Sequence, residues 1–191
     1  MMQMNDEHKT PPLLFSMLRN PRLTGAVAPS SKRLAELMAK TVQGADLIVE
    51  LGAGTGAITK TLIEYYPGTP IISVEYQAQL AEELRHTFPG LDVRQNTAKA
   101  VLDEVPAGEQ KIAVVSSLPF RSLPDNVKNE TVRSILNLFE RCPSTTLVQF
   151  TYGLTVPFEL LDENKNNMRW QMKNTVWRNI PPARVWKLEY R

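Results

Sequence analysis

A chain of 191 residues with one cysteine, Cys142, and two histidines, His8 and His86, has little from which to build a metal centre or a catalytic triad. A lone thiol makes no internal disulfide, and zinc sites draw on clusters of Cys and His. No metal is expected, and Cys142 and His86 read as structural. Long apolar runs are also missing: none approaches the roughly 18–20 residues of a membrane-spanning helix. The first ten residues, MMQMNDEHKT, lack a signal-peptide pattern and are expected to lie outside the ordered fold. There is no internal repeat and no low-complexity stretch. The expectation is a single domain, 1–191, in the cytoplasm or peripheral to the inner face of its membrane.

What is present is ordinary in amount and uneven in place. Apolar residues make up 42% and charged residues 22%, enough for a folded core. The net charge of +2 combines two basic ends with an acidic centre: residues 9–40 and 168–191 each carry +5, and residues 41–167 carry −6. Basic ends can meet an anionic lipid surface or nucleic-acid phosphate.

Strand-like and helix-like runs alternate through the middle. ADLIVEL (45–51), PIISVE (70–75), LDVRQ (91–95), KIAVVSSL (111–118) and TTLVQFTY (145–152) are short apolar strands. Between them, AITKTLIEYY (57–66), AQLAEELRHTF (78–88) and a helix opened by Pro124-Asp125 repeat their apolar residues at three- and four-residue spacing. This alternation predicts a doubly wound α/β fold around a mostly parallel sheet. TVWRN (175–179) and ARVWKLEY (183–190), joined through Ile180-Pro181-Pro182, predict a C-terminal antiparallel hairpin, so seven strands in all.

VELGAGTGAITK (49–60) follows a strand and opens a helix. Gly52-Ala53-Gly54 and Gly56 form a loop that a ligand can approach closely, but the spacing also fits a dinucleotide fingerprint completed by Ala57. Two carboxylates decide between them. Glu50 at the strand end suits a cationic ammonium and would repel a pyrophosphate. Glu75 ends the second strand, placed to accept hydrogen bonds from ribose hydroxyls, with Tyr76 beside it. The pattern is that of S-adenosylmethionine binding.

RNPRLTGAVAPSSKRLA (19–35), VELGAGTGAITK, SVEY (73–76), SSLPF (116–120), VQFTYG (148–153) and VWRNIPPARVWKLEYR (176–191) together span nearly the whole chain. On these segments the chain resembles class I, Rossmann-like methyltransferases, and more narrowly the bacterial phospholipid N-methyltransferases that act on phosphatidylethanolamine. Ribosomal adenine dimethyltransferases are relatives of that family. The resemblance implies that Gly52, Gly54 and Gly56 wrap the methionine portion of S-adenosylmethionine and that Glu75 holds its ribose. The family usually has Gly-Asp after the third strand, the aspartate contacting adenine; here Asn96-Thr97 stands there. Its substrate turn usually reads Ser-Gly-Leu-Pro; here it is Ser116-Ser117-Leu118-Pro119.

An alkyl ammonium must lose a proton before it attacks a methyl group. A serine hydroxyl, of Ser116 or Ser117, and the Leu118 carbonyl can accept hydrogen bonds from the amine and orient it. Phe120 and Tyr152 can face the growing positive charge. The expected activity is methylation of a membrane lipid's amine head group, foremost phosphatidylethanolamine. The alternatives are an RNA adenine dimethyltransferase, disfavoured by Ser117 where such enzymes carry Asn, and a methyltransferase-like binding module. TPPLLFSMLRNPRL (10–23), followed by Lys32 and Arg33, reads as a short apolar helix flanked by cations, within a helical segment at 11–43 that precedes the sheet and suits an anionic membrane surface.

Overall fold

The computed structural model describes residues 29–177, 179 and 182–191. The apolar stretch 10–23 and the expectation for residues 1–10 lie outside the described residues. The described chain opens with helix α1 (Pro29–Thr41) and continues β1 (Leu47–Leu51), α2 (Ala57–Tyr65), β2 (Ile71–Val74), α3 (Ala78–Thr87), β3 (Asp92–Arg94) and α4 (Ala98–Glu104). Then come β4 (Ile112–Ser116), α5 (Asp125–Arg141), β5 (Thr146–Tyr152), the single turn α6 (Asp162–Lys165), β6 (Met168–Val176) and β7 (Ala183–Tyr190).

The seven strands form one sheet in the order β3-β2-β1-β4-β5-β7-β6. The five strands from β3 to β5 pair in parallel; β7 runs antiparallel to both β5 and β6. Alternation along β1 divides the core between the two faces of the sheet. Val49 and Leu51 pack with Ile135, Leu138 and Phe139 of α5. Ile48 packs on the other face with Met38 of α1 and Ile58 and Leu62 of α2. Burial on both faces is why the parallel strands read as unbroken apolar runs.

The hairpin's first strand departs from expectation. β6 begins at Met168 and ends at Val176, whereas the composition pointed to 175–179. As the outermost strand it pairs with β7 alone and keeps Arg169, Met172, Lys173 and Asn174 exposed, with a register shift between Met172 and Asn174. A charged, irregular edge guards against strand-to-strand association and carries little alternation to read. Two of the hairpin's tryptophans divide. Trp186 is buried, its Nε1 donating to Thr151 Oγ1 at 2.9 Å, while Trp177, at the turn, is 75% exposed. Cys142 is fully buried, its thiol donating to the Pro106 carbonyl at 3.3 Å.

Candidate active site

In an open α/β sheet the strand order reverses at one point, and the crevice beyond the strands' carboxyl ends there is the usual ligand site. Here the reversal lies between β1 and β4. A cleft of about 410 Å³ opens beside it, within the size range of small-molecule sites. Four of the five parallel strands deliver part of the wall just after their last residues. Gly52 and Gly54 follow β1, Glu75 and Tyr76 follow β2, Asn96 and Thr97 follow β3, and Ser117, Leu118 and Pro119 follow β4. Val127 and Thr131 of α5 and Leu80 of α3 complete it.

The glycine loop is held by a carboxylate. Gly54 N–H donates to Glu75 Oε2 at 2.9 Å, and Gln77 N–H donates to Glu75 Oε1 at 2.8 Å. Gly54 has φ +58°, and a Cβ added there would meet nothing nearer than the Gly52 carbonyl at 4.0 Å. The loop thus leaves open space beside its backbone. Gly56 is glycine for another reason: at φ +82° it starts α2, and a Cβ would stand 2.5 Å from the Phe88 ring.

On the opposite rim Asn96 Oδ1 accepts from Thr97 N–H at 2.8 Å. Thr97 Oγ1 accepts from Ala100 N–H at 3.2 Å and caps α4. Tyr76 is 71% exposed. Of the residues assigned to the cofactor from sequence, Gly52, Gly54, Glu75, Tyr76, Asn96 and Thr97 line the cleft.

Glu50, Ala53, Gly56 and Ser116 do not line it. Strand alternation puts Glu50 on the same face as Ile48, beneath α2, where it is fully buried. Its Oε2 accepts from Thr59 Oγ1 and from Ser73 Oγ, each at 2.7 Å, and Oε1 has no partner among the described residues. Burial pushes the Glu50 carboxyl above the ordinary carboxylate range, against the pull of those hydrogen bonds. Ala53 packs with Ala81, Leu84 and Val93. Ser116 is fully buried, its Oγ accepting from Leu118 N–H at 3.2 Å, a hydrogen bond that shapes the turn after β4.

A second, smaller recess of about 80 Å³ adjoins the cleft across a wall that both share, Ser117, Leu118 and Pro119. Phe120, Arg121 and Ser122 continue that wall, and β5 supplies Gln149, Phe150, Thr151 and Tyr152. Of the residues assigned to catalysis, Ser117, Leu118, Phe120 and Tyr152 therefore meet here. Phe120 is also core: it is buried and packs at a tilt against Phe158, ring centroids 5.0 Å apart. Tyr152 lies edge-on to Phe150 at 5.5 Å, and burial pushes its hydroxyl pKa up, opposed by a hydrogen bond with Asn179. Arg121 and Gln149 were not singled out from the sequence. The signal for Gln149 is a lone amide inside the apolar run TLVQFT. Arg121 donates to Thr155 Oγ1 at 2.8 Å, which fixes a cation at the edge of the recess.

No family model matches the chain. By sequence it is similar to the ornithine lipid N-methyltransferase of Singulisphaera acidiphila, 31% identical over 134 residues that cover 66% of this chain and 69% of that protein. The fold aligns with the 1,6-didemethyltoxoflavin-N1-methyltransferase of Burkholderia thailandensis, solved with 1,6-didemethyltoxoflavin and S-adenosylhomocysteine. That alignment has a TM-score of 0.63 and 12% identity, over 93% of this chain and 85% of the other. The 23S rRNA methyltransferase ErmE aligns with a TM-score of 0.55 and 15% identity, over 83% of this chain and 68% of the other. The chain belongs to the same family as the Singulisphaera ornithine lipid enzyme and is a class I methyltransferase dependent on S-adenosylmethionine.

Proposed function

We propose that the chain methylates the amine of a zwitterionic membrane lipid. The observation that carries this reading is the wall of Ser117, Leu118 and Pro119, which separates a cofactor-sized cleft from a recess the size of an amine and its adjoining methylene. Phosphatidylethanolamine is the substrate implied by the sequence resemblance, and ornithine lipid is the substrate in the relative's name. Both carry an amine and an anion, and Arg121 stands at the edge of the recess to meet the anion.

The cleft fits S-adenosylmethionine on three counts: open space at Gly54, an acceptor carboxylate at Glu75 and an exposed aromatic at Tyr76. Gly52 and Gly54 would hold the methionine portion. Glu75 has one backbone N–H on each oxygen, which leaves lone pairs for two ribose hydroxyls. Asn96 and Thr97 would meet adenine. When bound, the cofactor supplies an electrophilic methyl group and leaves as a neutral thioether. The chain's own part is alignment and exclusion of water. Ser117 accepts a hydrogen bond from the amine, whose proton leaves to water before or as the new N–C bond forms. Phe120 and Tyr152 face the cationic product, a contact of about 0.5–2 kcal/mol each. Glu50, out of the cleft, serves the cofactor by tying α2 and β2 beneath the loop rather than by meeting its ammonium.

The same reading sets the protein on an anionic membrane surface. No helix among the described residues is long and apolar enough to cross a bilayer. Exposed Trp177 borders a depression that Arg33 and Lys40 also line, a pairing of an aromatic and cations suited to a lipid interface.

The test is transfer of labelled methyl from S-adenosylmethionine by the purified protein. Vesicles of phosphatidylethanolamine or of ornithine lipid, each with and without phosphatidylglycerol, are offered in separate arms beside unmodified ribosomal RNA. Label in a lipid amine, increased by phosphatidylglycerol, is the expected result. Label in RNA alone, or in none of these, overturns the reading.

A further inference from the structure

We infer that Gln149, together with Ser117, accepts a hydrogen bond from the substrate amine, and that it thereby favours amines that still carry an N–H. The inference rests on the functional reading above and adds to it a residue and a preference among methylation states.

Gln149 lies on β5, opposite Ser116 of β4, and only 2% of its surface is exposed. Its Nε2 donates twice, to the Leu118 carbonyl at 3.1 Å and to the Phe150 carbonyl at 2.9 Å. Both partners are acceptors, so the amide has one sensible orientation; turned over, its oxygen would face two carbonyl oxygens. That orientation leaves Oε1 buried and without a partner among the described residues. A buried acceptor left unpaired costs about 1–3 kcal/mol, a cost that a donor on a ligand would relieve. Gln149 lines the recess next to the cofactor cleft, so in this inference the amine bound there is the partner of Oε1. The Leu118 carbonyl already accepts from this amide and from Phe120 N–H, so Oε1 is the acceptor left open at this turn.

The donor must be an N–H. At the moment of attack a primary amine has two N–H groups besides its lone pair, a monomethyl amine has one and a dimethyl amine has none. Gln149 does not take the departing proton, because an amide oxygen is no base at neutral pH; the proton goes to water. Its effect is confined to orienting amines that retain an N–H, which are the first two methylation steps.

The experiment compares wild type with Gln149→Leu and with Gln149→Met, whose length matches glutamine. Vesicles of phosphatidylglycerol carry phosphatidylethanolamine or its mono- or dimethyl derivative, with a matching ornithine lipid series in parallel. S-adenosylhomocysteine affinity reports that each variant is folded. The expected result is a fall of about tenfold in kcat/KM for the unmethylated and monomethyl lipids, with the dimethyl lipid changed little. An equal fall in all three steps means that Gln149 only braces the turn, and no fall in any means that its oxygen has no part; either overturns the inference while the lipid reading stands. A wild type that labels none of these lipids overturns both.

Discussion

The cleft and the recess share three residues and are built by opposite means. The cleft is mainly backbone: a glycine, Gly54, with open space beside it, N–H groups gathered on one carboxylate, and loops that each follow directly from a strand end. The recess is mainly side chains that strand register brings together, with Gln149 of β5 donating to the turn after β4 across 31 positions of sequence. A backbone cradle can hold one cofactor across many enzymes. Side chains on β5 line the recess and not the cleft, so the proposed reading puts substrate choice there.

The largest way to break this comparison is Gly54→Val. A β-branched residue at φ +58° costs the fold about 1–2 kcal/mol, yet its Cβ meets nothing nearer than the Gly52 carbonyl at 4.0 Å. In the proposed reading it occupies the space the cofactor needs. Calorimetric titration should show S-adenosylhomocysteine affinity falling on the order of a hundredfold, roughly 2.7 kcal/mol. The variants at Gln149 should bind it as wild type does. Retained affinity in the glycine variant would mean that the cofactor does not lie along the loop.

Glu50→Gln sharpens the comparison from beneath. The amide oxygen can keep both hydroxyl bonds, from Thr59 and Ser73, while the buried charge is lost. Because the Glu50 carboxyl is raised in the folded state, its contribution to stability is fully present below the unfolded pKa and is lost as pH rises through the folded one. Wild type should therefore lose stability relative to Glu50→Gln as pH climbs out of the acid range. The gap should be on the order of 1–3 kcal/mol by pH 8, the scale of a buried polar atom without a partner. Denaturant unfolding at several pH values measures it. A gap that shrinks with rising pH would show that the carboxylate is stabilised in place, and would return Glu50 to the role of an ion-pair partner for the cofactor.

These contrasts also explain what the sequence made legible. The parallel strands were readable because burial on both faces leaves unbroken apolar runs such as IAVVS in β4. The glycine loop was readable because its chemistry is local. Position by position it was less so: Glu50 and Gly56 belong to the motif, but strand parity turns one under α2 and ring packing explains the other. α4 has seven residues, too few for a helical period to emerge, and β6 is an edge whose polar residues hide its strand. Gln149 was legible only as an oddity, since its meaning depends on the carbonyl of Leu118, which register alone brings to it.

Thr97→Ala has the smallest expected effect and probes the rim where the two building styles meet. The Thr97 hydroxyl is engaged as the cap of α4, and Asn96 Oδ1 accepts from Thr97 N–H, which the substitution leaves in place. Loss of the cap should cost about 1 kcal/mol, seen as a fall of about 2–4 °C in Tm for a domain of this size. S-adenosylhomocysteine affinity should hold, because the backbone N–H and the Asn96 amide remain where adenine would meet them. Should affinity fall along with Tm, the threonine side chain itself serves the ligand. The cleft would then depend on a side chain at its rim as the recess does at its floor, and the division between a backbone cradle and a side-chain pocket would end one strand short of the cofactor's edge.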